Sequence, residues 1–255
     1  MMRKFIKFIV RNIPRTYLIK FSRIFSFIIV PFYKGNNVKC PICNGKFRKF
    51  LPYGNKGDNN RLCPKCLSLE RHRLLWLYLN NKTDFFTAKL KVLHIAPEQS
   101  FIKRFKKLTN LEYITADLES PLAALKMNIK DIPFNDNTFD VLICNHVLEH
   151  IDDEPKALSE ILRVLKPNGW AILQVPINNS YETTYEDASI TSPKEREKHF
   201  GQYDHLRFHG KDYPLRLQSA GFKVVIDEFV KHFSSQDIEK YRLSPDEIIY
   251  FCIKP

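Results

Sequence analysis

Residues 128–174 read NIKDIPFNDNTFDVLICNHVLEHIDDEPKALSEILRVLKPNGWAILQ, and the reading of this stretch decides the fold. Residues 140–145 (DVLICN) form a short apolar run rich in branched side chains, the pattern of a strand buried on both faces. Behind an acidic start at Asp152, Asp153 and Glu154, residues 155–165 place Ala157, Leu158, Ile161, Leu162 and Leu165 at helical spacing. Lys166, Pro167 and Gly169 stop that helix, and residues 170–175 give a second buried strand. Two parallel strands joined by a helix make a right-handed crossover, the unit of a doubly wound α/β sheet.

From Asp131 to Pro176 the sequence closely resembles the class I S-adenosylmethionine-dependent methyltransferases, in particular their type 11-like group. In that family a loop Asp contacts the adenine and a strand ends in residues beside the methyl group. An arginine-bearing helix then leads into an LKPGG turn. Asp131, residues 145–150, Arg163 and residues 165–169 occupy those places here. The likeness covers most of residues 90–255 and is specific in its middle third. It implies a Rossmann-like methyltransferase sheet of order 3-2-1-4-5-7-6, ending in an antiparallel hairpin strand, with S-adenosylmethionine as cofactor.

Working outward, residues 90–95 (LKVLHI) read as the first strand. The family's loop after it is glycine-rich with an acidic residue at its head; this chain has His94, Ile95, Ala96, Pro97, Glu98, Gln99, Ser100 and no glycine. Ala96 stands where the first glycine would, and Glu98 is placed to meet the cofactor's amino group or ribose. Residues 111–116 are strand two. Asp117 follows 23 residues after His94, the distance at which an acidic residue accepts hydrogen bonds from ribose hydroxyls in doubly wound nucleotide sites. Leu118 or Glu119 flanks the adenine, and the resemblance sets Asp131 at the adenine amino group with Ile132 beside the ring. Strand three is not legible.

Asn145 and His146 end the fourth strand, at the carboxyl edge where such sheets bind ligands. Methyl transfer from a sulfonium is an in-line displacement, so the protein aligns the nucleophile and takes its proton; His146 is the candidate base. Glu149 and His150 read as fixing the loop. Residues 176–211 form a long polar insertion, a lid or recognition segment. Its densest polar cluster is Gln202, Tyr203, Asp204, His205, Leu206, Arg207. There His205 offers a second proton acceptor, and Gln202, Asp204 and Arg207 offer acceptor contacts; the alternative is a hydrogen-bond network that pins the lid. A helix at residues 212–220 and strands at 222–226 and 247–253 close the chain.

Cys40-Pro-Ile-Cys43 and Cys63-Pro-Lys-Cys66, nineteen residues apart, have the spacing of a zinc ribbon. Each pair forms a knuckle aiming two thiolates at one ion, and the closed four-sulfur site that results is structural. Phe47, Phe50 and Tyr53 lie among basic residues. They suit either base stacking or the ribbon's own small core. Residues 67–79 (LSLERHRLLWLYL) read as a packing helix; the resemblance, in which an N-terminal helix often borders the active site, offers a functional role for Glu70, Arg71 and His72 as the alternative.

Charge is lopsided. Residues 1–83 hold 18 Lys and Arg against 2 Asp and Glu, whereas the remainder holds 22 against 26, for a net charge of +12. The N-terminal third therefore suits either a solvated basic surface that aids solubility or an anionic partner, a membrane surface or nucleic acid. Phe5, Ile6, Ile9, Val10 and Ile13 share one helical stripe, and residues 24–33 form a second apolar segment too short to span a bilayer. No secretory signal pattern appears, and the cysteine usage suits a reducing cytoplasm; the leader suits either peripheral membrane contact or a helix packed on the catalytic domain. The organisation expected is a basic leader over 1–35, a zinc ribbon over 36–66 and a methyltransferase domain over 67–255. The acceptor is a small molecule, glycan or lipid precursor. The alternatives are an RNA methyltransferase docking through the ribbon, or a non-catalytic binding module.

Overall fold

The computed structural model of the chain describes residues 15–54 and 58–255; the stripe at Phe5–Ile13 falls outside them. In chain order the elements are helix α1 (Arg15–Tyr33), the short strands β1 (Lys34–Lys39), β2 (Lys46–Phe47), β3 (Leu51–Tyr53) and β4 (Asp58–Leu62), and helix α2 (Glu70–Lys82). There follow β5 (Leu90–Ile95), α3 (Gln99–Phe105), β6 (Leu111–Asp117), β7 (Leu125–Lys126), β8 (Phe139–Asn145), α4 (Glu154–Val164) and β9 (Leu165–Gln174). The last third holds β10 (Tyr185–Glu186), α5 (Pro193–Phe200), β11 (Arg207–Phe208), α6 (Tyr213–Ser219), β12 (Lys223–Asp227), α7 (Ser235–Tyr241) and β13 (Ile249–Ile253).

Seven strands form one sheet in the order β12-β13-β9-β8-β5-β6-β7. β13 runs antiparallel to both neighbours and the other pairs are parallel. Renumbered along this sheet, the order is the 3-2-1-4-5-7-6 that the resemblance implied. The illegible third strand is β7, two residues long and paired only at Leu125 and Lys126, which is too short to leave a period in the sequence.

β8 is the centre, and its alternation builds both layers. Val141 and Ile143 face one cluster of buried residues, and Leu142 and Cys144 face the other. α4 covers the second face with Ala157, Leu158, Ile161 and Val164, each burial worth roughly 1.5–3 kcal/mol for the larger side chains. Its start is fixed by Asp153, whose carboxylate accepts from the Lys156 amide at 3.0 Å, and by Pro155 in the first turn. Arg163 leaves its last turn to donate to the carbonyls of Ile132 and Phe134, both at 2.8 Å, so the loop that carries Asp131 is tied to this helix.

The first face is aromatic. Trp76, Phe85, Phe86, Phe101 and Phe105 stack and cross one another at ring separations of 4.8–6.4 Å. Val38, Cys40, Phe47 and Phe50 belong to the same cluster as Val92, Val141 and Ile172. The cysteine-bearing segment thus shares its core with the sheet. Phe47 and Phe50 are buried and meet edge to face at 5.9 Å, which makes them core and leaves Tyr53 as the exposed aromatic of the three.

α2 starts three residues later than the sequence indicated. The second cysteine knuckle runs on through Ser68, with Cys63 N–H donating to Ser68 O and Leu67 N–H to Cys63 O, and Leu67 takes a left-handed φ of 59°. Arg73 of α2 is fully buried. Its guanidinium donates to the carbonyls of Tyr241 (2.6 Å), Arg242 (2.7 Å), Ser68 (2.9 Å) and Arg61 (3.0 Å), and lies 4.6 Å from the Phe50 ring centre. One side chain therefore ties the knuckle, β4 and the end of α7 together.

An Arg73→Met variant keeps the volume and orphans four carbonyls, each costing about 1 kcal/mol or more. A loss of at least ~3 kcal/mol in a urea titration is expected. A loss below ~1 kcal/mol would show that the ribbon segment is held by its apolar contacts instead.

Candidate cofactor and acceptor site

The loop after β5 turns because Ala96 adopts φ 49°, the left-handed region that favours glycine. Ala96 thus performs the turn expected of the missing glycine, at a cost of order 1 kcal/mol. Glu98, at the start of α3, leaves the helix amides alone and points inward. Its carboxylate lies 2.7 Å from His94 Nε2 and 3.9 Å from His72 Nε2, and accepts from Asn145 Nδ2 at 2.9 Å. Burial alone would push this carboxyl up. The charge and hydrogen bond of His94 outweigh it and, with His72 and Asn145, bring Glu98 down to about 2. His94 is held from its other nitrogen by the Tyr113 hydroxyl at 2.7 Å. The acidic group that the family places at the end of strand one is thereby supplied four residues later, across a histidine.

Asp117 ends β6, with one carboxylate oxygen accepting from the amides of Glu119 (2.8 Å) and Ser120 (2.6 Å), which fixes its orientation. Leu118 is exposed next to it, and Asp131 is exposed on the neighbouring loop. Ile132 differs from expectation: it is 2% exposed, part of the core, and its amide donates to Glu160.

At the carboxyl edge of β8, Asn145 is buried and its Oδ1 has no hydrogen-bond partner among the described residues. His146 takes φ 56°, a strained conformation for a side chain of this size, of the kind that collects at functional sites. Its Nδ1 lies 3.4 Å from Glu149 Oε1, and its Nε2 is buried with no hydrogen-bond partner among the described residues. His146 and His150 hold the buried Glu149 carboxyl below the usual range in spite of its burial. These groups open on a cavity of about 380 Å³, lined by Ala96, Glu98, Gln99, Asn145 and His146 on one side. Tyr53, Leu62, Leu67, Leu69, Arg71 and His72 line the other. That volume lies within the range of ligand pockets, roughly 300–1,000 Å³.

One wall residue, Arg71, and one buried carboxyl that feels its charge, Glu247, carry more than the sequence reading gave them. Arg71 reaches the cavity, and its Nε finds no partner among the described residues. Glu247, just ahead of β13, has its carboxyl pushed up by burial against the pull of His146 and Arg71. Nothing in a single sequence separates Glu247 from a surface charge.

The insertion is pinned rather than open. Arg207 donates to Glu186 (2.8 Å) and to the carbonyls of Leu148 (2.8 Å), Ile151 (2.6 Å) and Asp152 (3.3 Å), and is buried. His205 donates from Nδ1 to Phe200 O at 3.1 Å and accepts the Gln202 amide at Nε2, 2.6 Å away. Asp204 lies against His150. Gln202, Asp204, His205 and Arg207 are therefore absent from the cavity wall, and the pinning network that was the alternative reading is what their contacts make.

The four cysteine sulfurs all lie within 4.8 Å of one another, with Cys40–Cys66 at 3.5 Å and Cys43–Cys63 at 3.7 Å. A tetrahedral zinc ion with metal–sulfur bonds of ~2.3 Å sets its ligands about 3.8 Å apart, so the cluster fits one.

The family model described as "Methyltransferase domain" matches residues 79–173. An uncharacterized protein of Methanocaldococcus jannaschii is 52% identical over 65 residues, covering 25% of this chain and 28% of that protein. The ubiquinone/menaquinone biosynthesis C-methyltransferase UbiE of Idiomarina loihiensis is 34% identical over 80 residues, 30% of this chain and 28% of that protein. The chain thus spans under a third of the length of either relative. An S-adenosylmethionine dependent methyltransferase from Mesorhizobium loti superposes with a TM-score of 0.51 at 11% identity, covering 71% of this chain and 98% of that one. The matched domain and the sheet order together support a class I methyltransferase.

Burial beside the cavity makes the protein acid-labile in a defined window. Desolvation lowers His72 to about 3 from an ordinary 6.5, so the folded chain resists a proton that the unfolded chain takes. That penalty is absent above pH 6.5 and grows as pH falls toward 3. Glu98, lowered to about 2, adds its own loss from pH 4.5 downward. Each group contributes a slope of about 1.4 kcal/mol per pH unit. Urea titrations between pH 6.5 and 4.5 should show His72→Gln removing about that slope; an unchanged slope would mean that His72 titrates normally.

Proposed function

We propose that the protein is an S-adenosylmethionine-dependent methyltransferase acting on a small molecule, glycan or lipid precursor. The observation that carries the reading is the cavity at the carboxyl ends of β5 and β8, the point where strand order reverses and such sheets bind ligands. Asp117 and Asp131 would hold the nucleoside. The methionine end, a zwitterion, would meet Glu98 through its ammonium and Arg71 through its carboxylate, with Asn145 Oδ1 as a further acceptor. The cofactor, when bound, supplies an activated methyl group for in-line transfer. His146 Nε2 would take the acceptor's proton, with Glu149 orienting the ring from Nδ1 and stabilising the imidazolium.

A structural zinc ion would be held by Cys40, Cys43, Cys63 and Cys66. The quinone methyltransferase among the relatives supports an apolar acceptor. An RNA acceptor is less well supported, because Phe47 and Phe50 are buried and offer no stacking platform.

Calorimetric titration of zinc-replete protein with S-adenosylhomocysteine should give one-to-one binding. Asp117→Ala should weaken it about tenfold or more, the worth of a charge-assisted hydrogen bond. No binding by the unaltered protein would favour the non-catalytic module, and an unchanged affinity in the variant would sink the nucleoside assignment. Elemental analysis should find one zinc per chain, and Cys43→Ser should release it and lower the melting temperature. A metal-free protein of full stability would overturn the ribbon.

A further inference from the structure

α1 turns its apolar side to solvent. At 100° per residue, Tyr17, Phe21, Ile24, Phe25, Ile28 and Phe32 fall on one stripe about 100° wide. All six are exposed, Phe32 at 67%, and Phe27 beside them reaches 84%. The opposite face, with Ser22, Ser26, Ile29, Val30 and Tyr33, is the one that packs on the protein. Both serines of the helix therefore point inward, whereas its largest aromatic and branched side chains point out. A helix of a water-soluble domain distributes these the other way round. This is also half of the exposed large apolar side chains of the described residues, gathered on one nineteen-residue helix.

The charge around the helix has one sign. Residues 1–57 contain thirteen Lys and Arg and no Asp or Glu; the first acidic residue is Asp58. An apolar helical stripe set in wholly basic sequence matches the interface of an anionic bilayer, where apolar side chains enter the acyl boundary and cations meet the headgroups. α1 does not cross: no helix among the described residues is long and apolar enough. Its inward side meets the cavity wall. Ser22 Oγ accepts from Gln99 Nε2 at 3.4 Å, and Gln99 lines the cavity.

We infer that α1 seats the protein on an anionic lipid surface through the stripe Tyr17, Phe21, Ile24, Phe25, Ile28 and Phe32, beside the wall of the cavity. The inference stands apart from the methyltransferase reading, since it needs no cofactor and no reaction.

Flotation of the full chain with phosphatidylcholine vesicles, with and without phosphatidylglycerol, tests it. The protein should float with the anionic vesicles and much less with the neutral ones, and raising salt should release part of it. The double variant Ile24→Asp/Ile28→Asp should lose vesicle binding by tenfold or more, with its melting temperature kept, because both side chains are already exposed. Absence of flotation with either vesicle overturns the inference, as does equal flotation of the variant. A lower melting temperature in the variant would show the stripe covered by the chain's own first residues. A dimer in sedimentation equilibrium that the variant dissociates, without vesicle binding, would make the occupant a second copy. Salt-sensitive binding of single-stranded RNA that the variant retains, again without vesicle binding, would turn the basic segment to nucleic acid.

Discussion

The Arg73 guanidinium is the constraint on which the site depends. A buried cation is tolerable only when its donors are satisfied, and the four carbonyls that satisfy it come from the cysteine knuckle, β4 and the α7 end. Those segments must therefore sit where they do for the cation to be buried at all. Once they do, the first turns of α2 face the carboxyl edge of the sheet. Arg71 and His72, two and one residues earlier, are carried into the cavity wall by the same rotation that buries Arg73. The ribbon segment contributes Tyr53, Leu62 and Leu67 to that wall. The wall facing the methyltransferase sheet is thus built by the N-terminal segment and disappears if that segment is displaced.

The glycine-free loop follows from the same economy of charge. An acidic residue at the end of strand one is the family's way of placing a carboxylate under the cofactor loop. Here His94 occupies that place, fully buried, and a buried ring N–H needs an acceptor nearby. Glu98 supplies it at 2.7 Å and is itself steadied by Asn145. The helix start that displays Glu98 requires the sharp turn at Ala96, so its positive φ and the inward carboxylate belong to one arrangement. Glycine's role in such loops is conformational, and alanine can fill it where the gain from the buried pair exceeds the strain.

Much of this was legible because local pattern and tertiary role coincide. The apolar run of β8, the Asp153 start of α4 and the Pro167 stop state the crossover unit outright, and the two CxxC pairs state the knuckles. What escaped reading was decided at long range. Whether Arg71 and Arg73 lie at a surface or in a core depends on carbonyls nearly 170 positions away for Arg73. The polar cluster around His205 looked like a site for the same reason: clustered donors and acceptors read alike whether they wait for a ligand or satisfy one another. Ile132 sat in the right motif, yet Arg163 and Glu160 draw its loop onto α4 and bury its side chain.

The pinned insertion narrows how an acceptor enters. Glu154, 1% exposed, is paired with both His209 and Arg216, and Arg207 is spent on the carbonyls that follow β8, so residues 207–216 are locked onto the start of α4. Opening there would expose a buried carboxylate and break several charge-assisted bonds at once, which is expensive. The opposite wall is built by the ribbon segment, where Tyr53, Leu62 and Leu67 line the cavity, next to the Ser22–Gln99 bond that joins α1 to the loop. The cavity beside His146 is bounded by the ribbon segment and the sheet edge, and no residue of the insertion lines it among the described residues. That is the side on which the apolar stripe of α1 meets its surroundings.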